Sequence, residues 1–189
     1  MKKIIIGLLI IVGFLPLMVN AIVLPEKSDH EKVTIYIFRG HGCSHCYDAL
    51  EYFYKNREKY ADYFDVVTYE VWENEANSKF MKTVADALED EVTGVPYMVI
   101  GDAYTNKRGF SDELSEEIVN AALAAYQDDN YVDLVGNLAK DNDKIESKNL
   151  EESCRSEGII AGKYDTLIIF SILLVVIGGG VFLIKMARK

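Results

Sequence analysis

The chain carries too little positive charge to bind nucleic acid. It has 20 Lys and Arg residues against 30 Asp and Glu residues, which gives a formal net charge of −10. Between residues 22 and 163 the imbalance is greater, with 15 basic and 29 acidic residues. Because contact with phosphates needs a basic face, this composition excludes nucleic acid as a partner. The same acidity opposes lying flat on anionic lipid, and we interpret it as keeping the domain soluble.

Cysteine is also scarce, since the chain has only three. A disulfide framework needs more pairs at wider spacings, so it is excluded. Cys43 and Cys46 are separated by two residues, and Cys154 stands alone. A four-ligand zinc site needs a second pair of ligands, and the two nearby histidines, His41 and His45, lie too close in sequence to enclose a metal easily. We therefore expect neither a metal nor a bound cofactor.

Long hydrophobic runs are confined to the two ends of the chain. Residues 1–21 have the basic head, the apolar stretch and the small final residue, Ala21, that are typical of a secretory signal peptide. An uncleaved anchor is the alternative, because the apolar run continues to Leu24. Near the other end, residues 166–184 carry no charge and are long enough to cross ~30 Å of hydrocarbon. We therefore predict a transmembrane helix over residues 164–185.

The charges beside these two runs predict the orientation of the chain in a membrane. Lys2 and Lys3 precede the first run, and the short tail 186–189 is also basic. By the positive-inside rule both ends stay in the cytoplasm, so the segment between them lies outside. We expect a single-pass protein of a bacterial plasma membrane, with an extracytoplasmic domain and a cytoplasmic C-terminus.

The middle of the chain predicts one α/β domain over residues 33–139, between a lead-in (22–32) and a polar stalk (140–163). β-Branched and aromatic runs predict strands, and apolar residues at four-residue spacing predict helices. In chain order we expect a strand at 33–38, a helix at 43–60, a strand at 65–72, a helix at 77–89, strands at 97–100 and 103–108, and a helix capped by Ser111. This alternation implies a four-stranded mixed sheet covered by helices. The stalk has no clear period, and we expect it to be flexible.

The motif Cys43-Ser44-His45-Cys46 follows the first predicted strand and opens the first predicted helix. At a helix N-terminus the backbone N–H groups and the dipole favour an anion. Because the thiolate is the nucleophile of disulfide exchange, we expect Cys43 to attack first. Cys46, one turn further, can then attack the mixed disulfide and release the client. A structural disulfide and half of a zinc site are the alternatives for this pair.

Residues 33 to about 127 resemble the thioredoxin superfamily. The features that match are the strand, the loop and the Cys43–Cys46 motif opening a helix and, fifty residues later, the turn Thr93-Gly94-Val95-Pro96. The resemblance implies a minimal thioredoxin-like fold in which the proline is cis and packs beside the dithiol. It also implies that Ser44, Val95 and Pro96 bind the substrate, with Val95 pairing to the backbone of a bound peptide.

His45 makes the motif most similar to those of DsbA-type oxidases and protein disulfide isomerases. A ring N–H or an imidazolium near the Cys43 sulfur favours its thiolate. We expect His41, in the preceding loop, to be solvated. Two features depart from the family. The chain has no room for the helical insertion of DsbA, so its core is closer to a glutaredoxin in size, and Ile37 stands where a buried acid is usual.

These features predict an enzyme that forms or isomerises disulfides in exported proteins and that a membrane or soluble redox partner resets. Three alternatives stay open. The first is a disulfide reductase fed with electrons across the membrane, the second is a copper carrier that uses Cys43, Cys46 and a His, and the third is a non-catalytic scaffold or assembly subunit. Cys154 could trap a partner or pair with a second copy, and we expect no catalytic role for it.

Overall fold

The computed structural model shows an α/β fold over residues 22–27 and 29–160, the part of the chain that it describes. The strands are β1 (Val33–Arg39), β2 (Phe64–Glu70), β3 (Tyr97–Ile100), β4 (Tyr104–Asn106) and β5 (Ser147–Asn149). The helices are α1 (Ser44–Tyr60), α2 (Glu75–Ala87), α3 (Asp112–Tyr126), α4 (Leu134–Ala139) and α5 (Leu150–Ser156). Of these described helices, none has the length and apolar character needed to cross a membrane. The predicted signal peptide, the predicted transmembrane helix and the C-terminal tail lie outside the described residues.

The five strands form one mixed sheet in the order β4-β3-β1-β2-β5. β1 and β2 are parallel, with Val33 opposite Phe64 and Arg39 opposite Glu70, and the other three pairs are antiparallel. The helix α1 connects the two parallel strands, as a crossover requires. The expected α/β class, a mixed sheet flanked by helices, is confirmed, but the sheet has five strands rather than four.

β1 lies at the centre of the fold and is buried on both faces, because successive side chains of a strand point to opposite sides. Ile35 and Ile37 belong to one apolar layer, together with Phe53 of α1. Phe38 belongs to the other layer, where its ring centroid lies 5.9 Å from that of Phe80 on α2. Packing from two sides therefore fixes the carboxyl end of β1, from which the cysteine loop begins.

α1 begins immediately after Cys43, which caps it. The backbone N–H of Cys46 donates to the Cys43 sulfur, so the thiol takes the place of the usual capping oxygen. Cys46, Leu50 and Phe53 lie on the buried face of the helix at the expected spacing. The helix ends at Tyr60, so the predicted bounds are confirmed to within one residue.

The expected flexible stalk is structured as far as residue 160. β5 adds to the edge of the sheet, with Asn149 opposite Val67 and Ser147 opposite Tyr69 of β2. All three of its residues are exposed and polar, so no apolar pattern marks it as a strand. β5 is a strand because its backbone pairs with β2, and a local sequence pattern cannot predict such pairing between distant segments.

α5 also belongs to the folded domain. It begins with a capping box between Asn149 and Glu152, and it packs against α1. Cys154 on this helix is fully buried, and its thiol donates to the carbonyl oxygen of Leu50 at 3.6 Å. The domain therefore continues beyond the predicted boundary at residue 139, and Cys154 is a core residue rather than a residue of a solvated stalk.

Candidate active site

Cys43 is a partly exposed thiol at the carboxyl end of β1 and the N-cap of α1. Its sulfur accepts the N–H of Cys46 at 3.3 Å, and its thiol donates to the carbonyl oxygen of Val95 at 3.9 Å. A sulfur in this place receives both a backbone N–H and the positive end of the helix dipole. The position therefore suits the thiolate that disulfide exchange requires.

Cys46 has a different environment, since it is only 2 % exposed. Burial raises the pKa of its thiol, and the hydrogen bond with Cys43 raises it further. The backbone of Gly40 and the charge of Arg39 act in the opposite direction, but the pKa stays well above that of an ordinary thiol. The motif thus combines one accessible sulfur with one buried, protonated sulfur.

The turn before β3 lies beside this pair of thiols. The Val95–Pro96 peptide bond is cis, as the resemblance implied. Val95 is partly exposed, Pro96 is buried, and the Val95 carbonyl is the group in contact with Cys43. The structure therefore brings Val95 to Cys43 and Cys46, although Val95 lies about fifty positions after them in the chain.

Ser44 and His45 occupy the first turn of α1, and both are exposed. A methyl group on Gly109 would lie 3.8 Å from Cγ of His45, so the imidazole sits beside the loop that follows β4. The hydrogen bonds described for the Cys43 sulfur go to the backbone N–H of Cys46 and the carbonyl oxygen of Val95 rather than to this ring. Any effect of His45 on the Cys43 thiolate must therefore act through space.

A buried ion pair, which the sequence did not indicate, lies next to the cysteine loop. Arg39 is the last residue of β1 and is 1 % exposed, and its guanidinium pairs with the carboxylate of Glu157, directly after α5. It also donates to the hydroxyls of Thr68 at 3.4 Å and Ser156 at 3.3 Å. A buried charge is tolerated when it is paired and hydrogen-bonded in this way.

The carboxylate of Glu157 also binds the loop that leads into Cys43. It contacts Nδ1 of His41 at 2.9 Å and accepts the backbone N–H of Gly42 at 3.1 Å. Burial alone would raise the pKa of Glu157, but these hydrogen bonds and the charge of Arg39 lower it. The hydrogen bond to Glu157 raises the pKa of His41. His41, which we expected to be solvated, is half-exposed and paired with an acid.

The single tryptophan of the chain lies at the same edge of the sheet. Trp72 follows β2 and is 60 % exposed, and its ring rests on Gly40, where an added Cβ would lie 2.1 Å from Cδ2. One oxygen of Glu70 accepts the backbone N–H of both Trp72, at 2.9 Å, and His41, at 3.2 Å. The exposed indole therefore adds apolar surface next to the loop that leads into Cys43.

In the described part of the chain, no group of three or more His, Cys, Asp and Glu side chains is arranged to hold a metal ion. Comparison with known proteins gives no match to a family model, a curated protein or a solved structure. Any inference about function therefore depends on the geometry of these residues.

Proposed function

We propose that this protein is a membrane-anchored thiol–disulfide oxidoreductase of thioredoxin-like fold that forms or isomerises disulfides in exported proteins. The observation that carries the proposal is a partly exposed Cys43 at the N-cap of α1, one turn from a buried Cys46. A nucleophile that clients can reach and a second thiol that they cannot are the two parts that the reaction needs. The crossover from β1 through α1 to a parallel β2, with Val95 beside the dithiol, supports the assignment of fold.

In the oxidising direction the reaction begins with a disulfide between Cys43 and Cys46. A client thiolate attacks the Cys43 sulfur, and Cys46 leaves and takes up a proton, which its raised pKa favours. A second client thiolate attacks the client sulfur of the mixed disulfide, so that the client disulfide forms and Cys43 leaves as a thiolate. Two electrons pass from the client to the active-site disulfide, which becomes the dithiol, and an oxidised membrane or soluble redox partner must remove them. Isomerisation uses the reduced dithiol and returns it unchanged.

The backbone of the client is placed by the turn before β3. An extended peptide can pair with the backbone of Val95 as an added strand, and this brings a client cysteine close to the Cys43 sulfur. Ser44 is exposed at the start of α1 and can contact the same peptide. Pro96 is buried beneath the turn and shapes it.

The domain is proposed to lie outside a bacterial plasma membrane, held by residues 164–185, with the tail 186–189 in the cytoplasm. The support is the charge-free run at 166–184 and the basic residues that flank the two apolar ends. Protease added to intact spheroplasts should remove the domain and leave a small C-terminal fragment. Full protection of the domain would contradict this location.

Disulfide exchange by the full chain in detergent tests the proposed reaction. The protein should accelerate the oxidative refolding of a reduced client, and Cys43→Ser should abolish this because it removes the nucleophile. Cys46→Ser should instead accumulate a mixed disulfide with the client, visible on a non-reducing gel. Cys154→Ser is the matched control, since Cys154 lies fully buried on α5. An active Cys43→Ser variant would refute the proposal.

The redox state of the dithiol in living cells separates the two directions of electron flow. An oxidase should be found mainly as the disulfide, and an isomerase or a reductase mainly as the dithiol. Thiol trapping of cells, with and without an inhibitor of the transmembrane electron supply, distinguishes the last two. A reductase consumes an electron pair in each turnover and should become oxidised rapidly when that supply is blocked, whereas an isomerase returns its dithiol in each turnover and should become oxidised slowly.

A further inference from the structure

We propose that Glu157 is a positioning residue of the redox site, which holds residues 40–42 so that the Cys43 sulfur sits on the N-terminus of α1. The inference rests on the proposed disulfide exchange and deepens it. It also assigns a role in the site to Glu157, which lies more than 100 positions after the Cys43–Cys46 motif in the chain.

The geometry that carries this inference is the convergence of one carboxylate on three residues of the same short segment. Glu157 pairs with the guanidinium of Arg39, contacts Nδ1 of His41 at 2.9 Å, and accepts the N–H of Gly42 at 3.1 Å. Its side chain is only 6 % exposed, so water competes little for these contacts. The carboxylate therefore contacts the chain on both sides of Gly40, at Arg39 before it and at His41 and Gly42 after it.

This segment needs to be held because two of its residues are glycines. Gly42 has a φ of +74°, a conformation that few other residues adopt, and glycine has the greatest backbone freedom in an unrestrained chain. Besides Glu157, the segment is held where Gly40 accepts the N–H of Cys43 at 3.3 Å, where Glu70 accepts the N–H of His41 at 3.2 Å, and where the Trp72 ring rests on Gly40. Loss of Glu157 removes the tether nearest to Cys43.

The ion pair also affects the buried thiol. The positive charge of Arg39 lowers the pKa of Cys46 slightly, against the larger effect of burial, which raises it. The charged groups around Glu157 are Arg39 and His41, and His41 in turn lies near Glu73. Glu157 is thus the acid that joins the cysteine loop to the C-terminal segment.

The pH dependence of Cys43 alkylation distinguishes positioning from a simple effect of charge. Glu157→Ala removes an anion and leaves the positive charge of Arg39 unpaired. Both changes would favour the Cys43 thiolate and move the midpoint of the alkylation profile to lower pH. Loss of loop geometry would instead weaken the contact of Cys43 with the helix N-terminus and move the midpoint to higher pH. We expect a rise of about half a pH unit, which slows alkylation below the midpoint about threefold.

Two further variants make the experiment decisive. Glu151→Ala, on the exposed side of α5 where it pairs with Arg155, is the matched control and should leave the midpoint unchanged. Because a buried, unpaired Arg39 can prevent folding, Arg39→Met/Glu157→Ala removes both charges, and the upward shift should persist in it. Each profile is measured on the full chain in detergent, with the labelled cysteine identified by mass spectrometry.

The inference is overturned if the midpoint is unchanged or lower in the double variant, while the wild-type protein exchanges disulfides normally. A wild-type protein that alkylates normally but exchanges no disulfides would defeat the proposed function instead. The alkylation profile would still report whether Glu157 positions the loop, so the two failures are distinguishable.

Discussion

The carbonyl oxygen of Val95 accepts a hydrogen bond from the Cys43 thiol at 3.9 Å, although 52 positions separate the two residues in the chain. They meet because β1 and β3 are antiparallel neighbours, so that the loop after β1 and the turn before β3 share one edge of the sheet. If clients pair with this turn as proposed, they are brought directly to Cys43.

Cys43 should be alkylated well before the other two thiols of the native, reduced protein. It is partly exposed, whereas Cys46 and Cys154 are buried, and burial raises the pKa of Cys46 and raises that of Cys154 to about 11. A brief iodoacetamide pulse at mildly acid pH should label Cys43 alone, as read by mass spectrometry. In concentrated urea all three should react at similar rates. Faster native labelling of Cys46 or Cys154 would reverse the assigned roles.

The reduction potential of the dithiol should be more oxidising than about −230 mV, above the value of about −270 mV for thioredoxin. We expect the N-terminus of α1 and His45 to favour the thiolate of the reduced form, which would make the disulfide a better oxidant. His45→Ser should lower the potential by tens of millivolts, since ~30 mV corresponds to ~1.4 kcal/mol. His30→Ser, where the ring pairs with Asp129 in a different part of the domain, should not. Equilibration with glutathione buffers measures each value, and a potential at or below that of thioredoxin would favour the reductase alternative.

Gly40→Ala should displace the ring of Trp72. The new methyl group would lie 2.1 Å from Cδ2, so the ring, which is already largely exposed, must move outward. Because the chain has one tryptophan, its intrinsic fluorescence reports this site alone, and the emission should shift to longer wavelength. Gly94→Ala is the control, since a methyl group there meets nothing within 4 Å. Identical spectra for both variants would show that the ring does not rest on Gly40.

Asn77→Ala should lower the free energy of unfolding by about 2–4 kcal/mol. The buried amide of Asn77 donates to the carbonyl oxygens of Glu70 and Glu146 and accepts the N–H of Glu146, all at 2.9 Å. Its loss leaves these backbone groups without partners and frees the segment before β5. Urea unfolding measures the change, and Asn130→Ala, at an exposed loop position, should stay within about 0.5 kcal/mol of wild type. Equal stability of the two variants would contradict the observed bridge.

The pair between His41 and Glu157 should stabilise the fold most at weakly acid to neutral pH. The pKa of His41 is raised, so its contribution is complete below its ordinary value of 6.5 and is lost as pH rises through the folded value. The pKa of Glu157 is lowered, so its contribution is lost as pH falls through its folded value, below the ordinary 4.5. In urea unfolding, His41→Ala should therefore differ from wild type more at pH 6 than at pH 9. An equal difference at both would mean that the pair contributes no charge-dependent stability.

Local pattern predicts the elements around the dithiol closely. The observed α1 and β3 match the expected 43–60 and 97–100 to within one residue, and Ser111 caps α3 as expected. Each of these elements is defined by residues near one another in the chain, through apolar spacing, β-branched runs or a capping side chain. The position of the Cys43–Cys46 motif at the start of a helix was predicted for the same reason, since its two cysteines and the helix are contiguous.

The parts that the sequence does not predict depend on contacts between distant residues. α4 is only six residues long, and its cap, Asp133, is held by the hydroxyl of Tyr36, 97 positions away. Glu157 reaches Arg39 across 118 positions. Contacts of this kind produce no periodic pattern in the sequence, because the two partners lie far apart in the chain and meet only in the folded sheet. Polar residues between 140 and 160 therefore resemble a linker although they belong to the fold.

The contact between Glu157 and Gly42 places Glu157 within the folded domain and so limits the length of chain between the domain and the predicted membrane span. Only six residues separate Glu157 from residue 164, and a fully extended chain covers this interval in at most about 25 Å. If residues 164–185 span the membrane as proposed, the redox site cannot range widely, as it would on a stalk beginning at residue 140. On that proposal it would instead be confined to a layer about as deep as one small domain, where it would meet client segments that lie close to the bilayer surface.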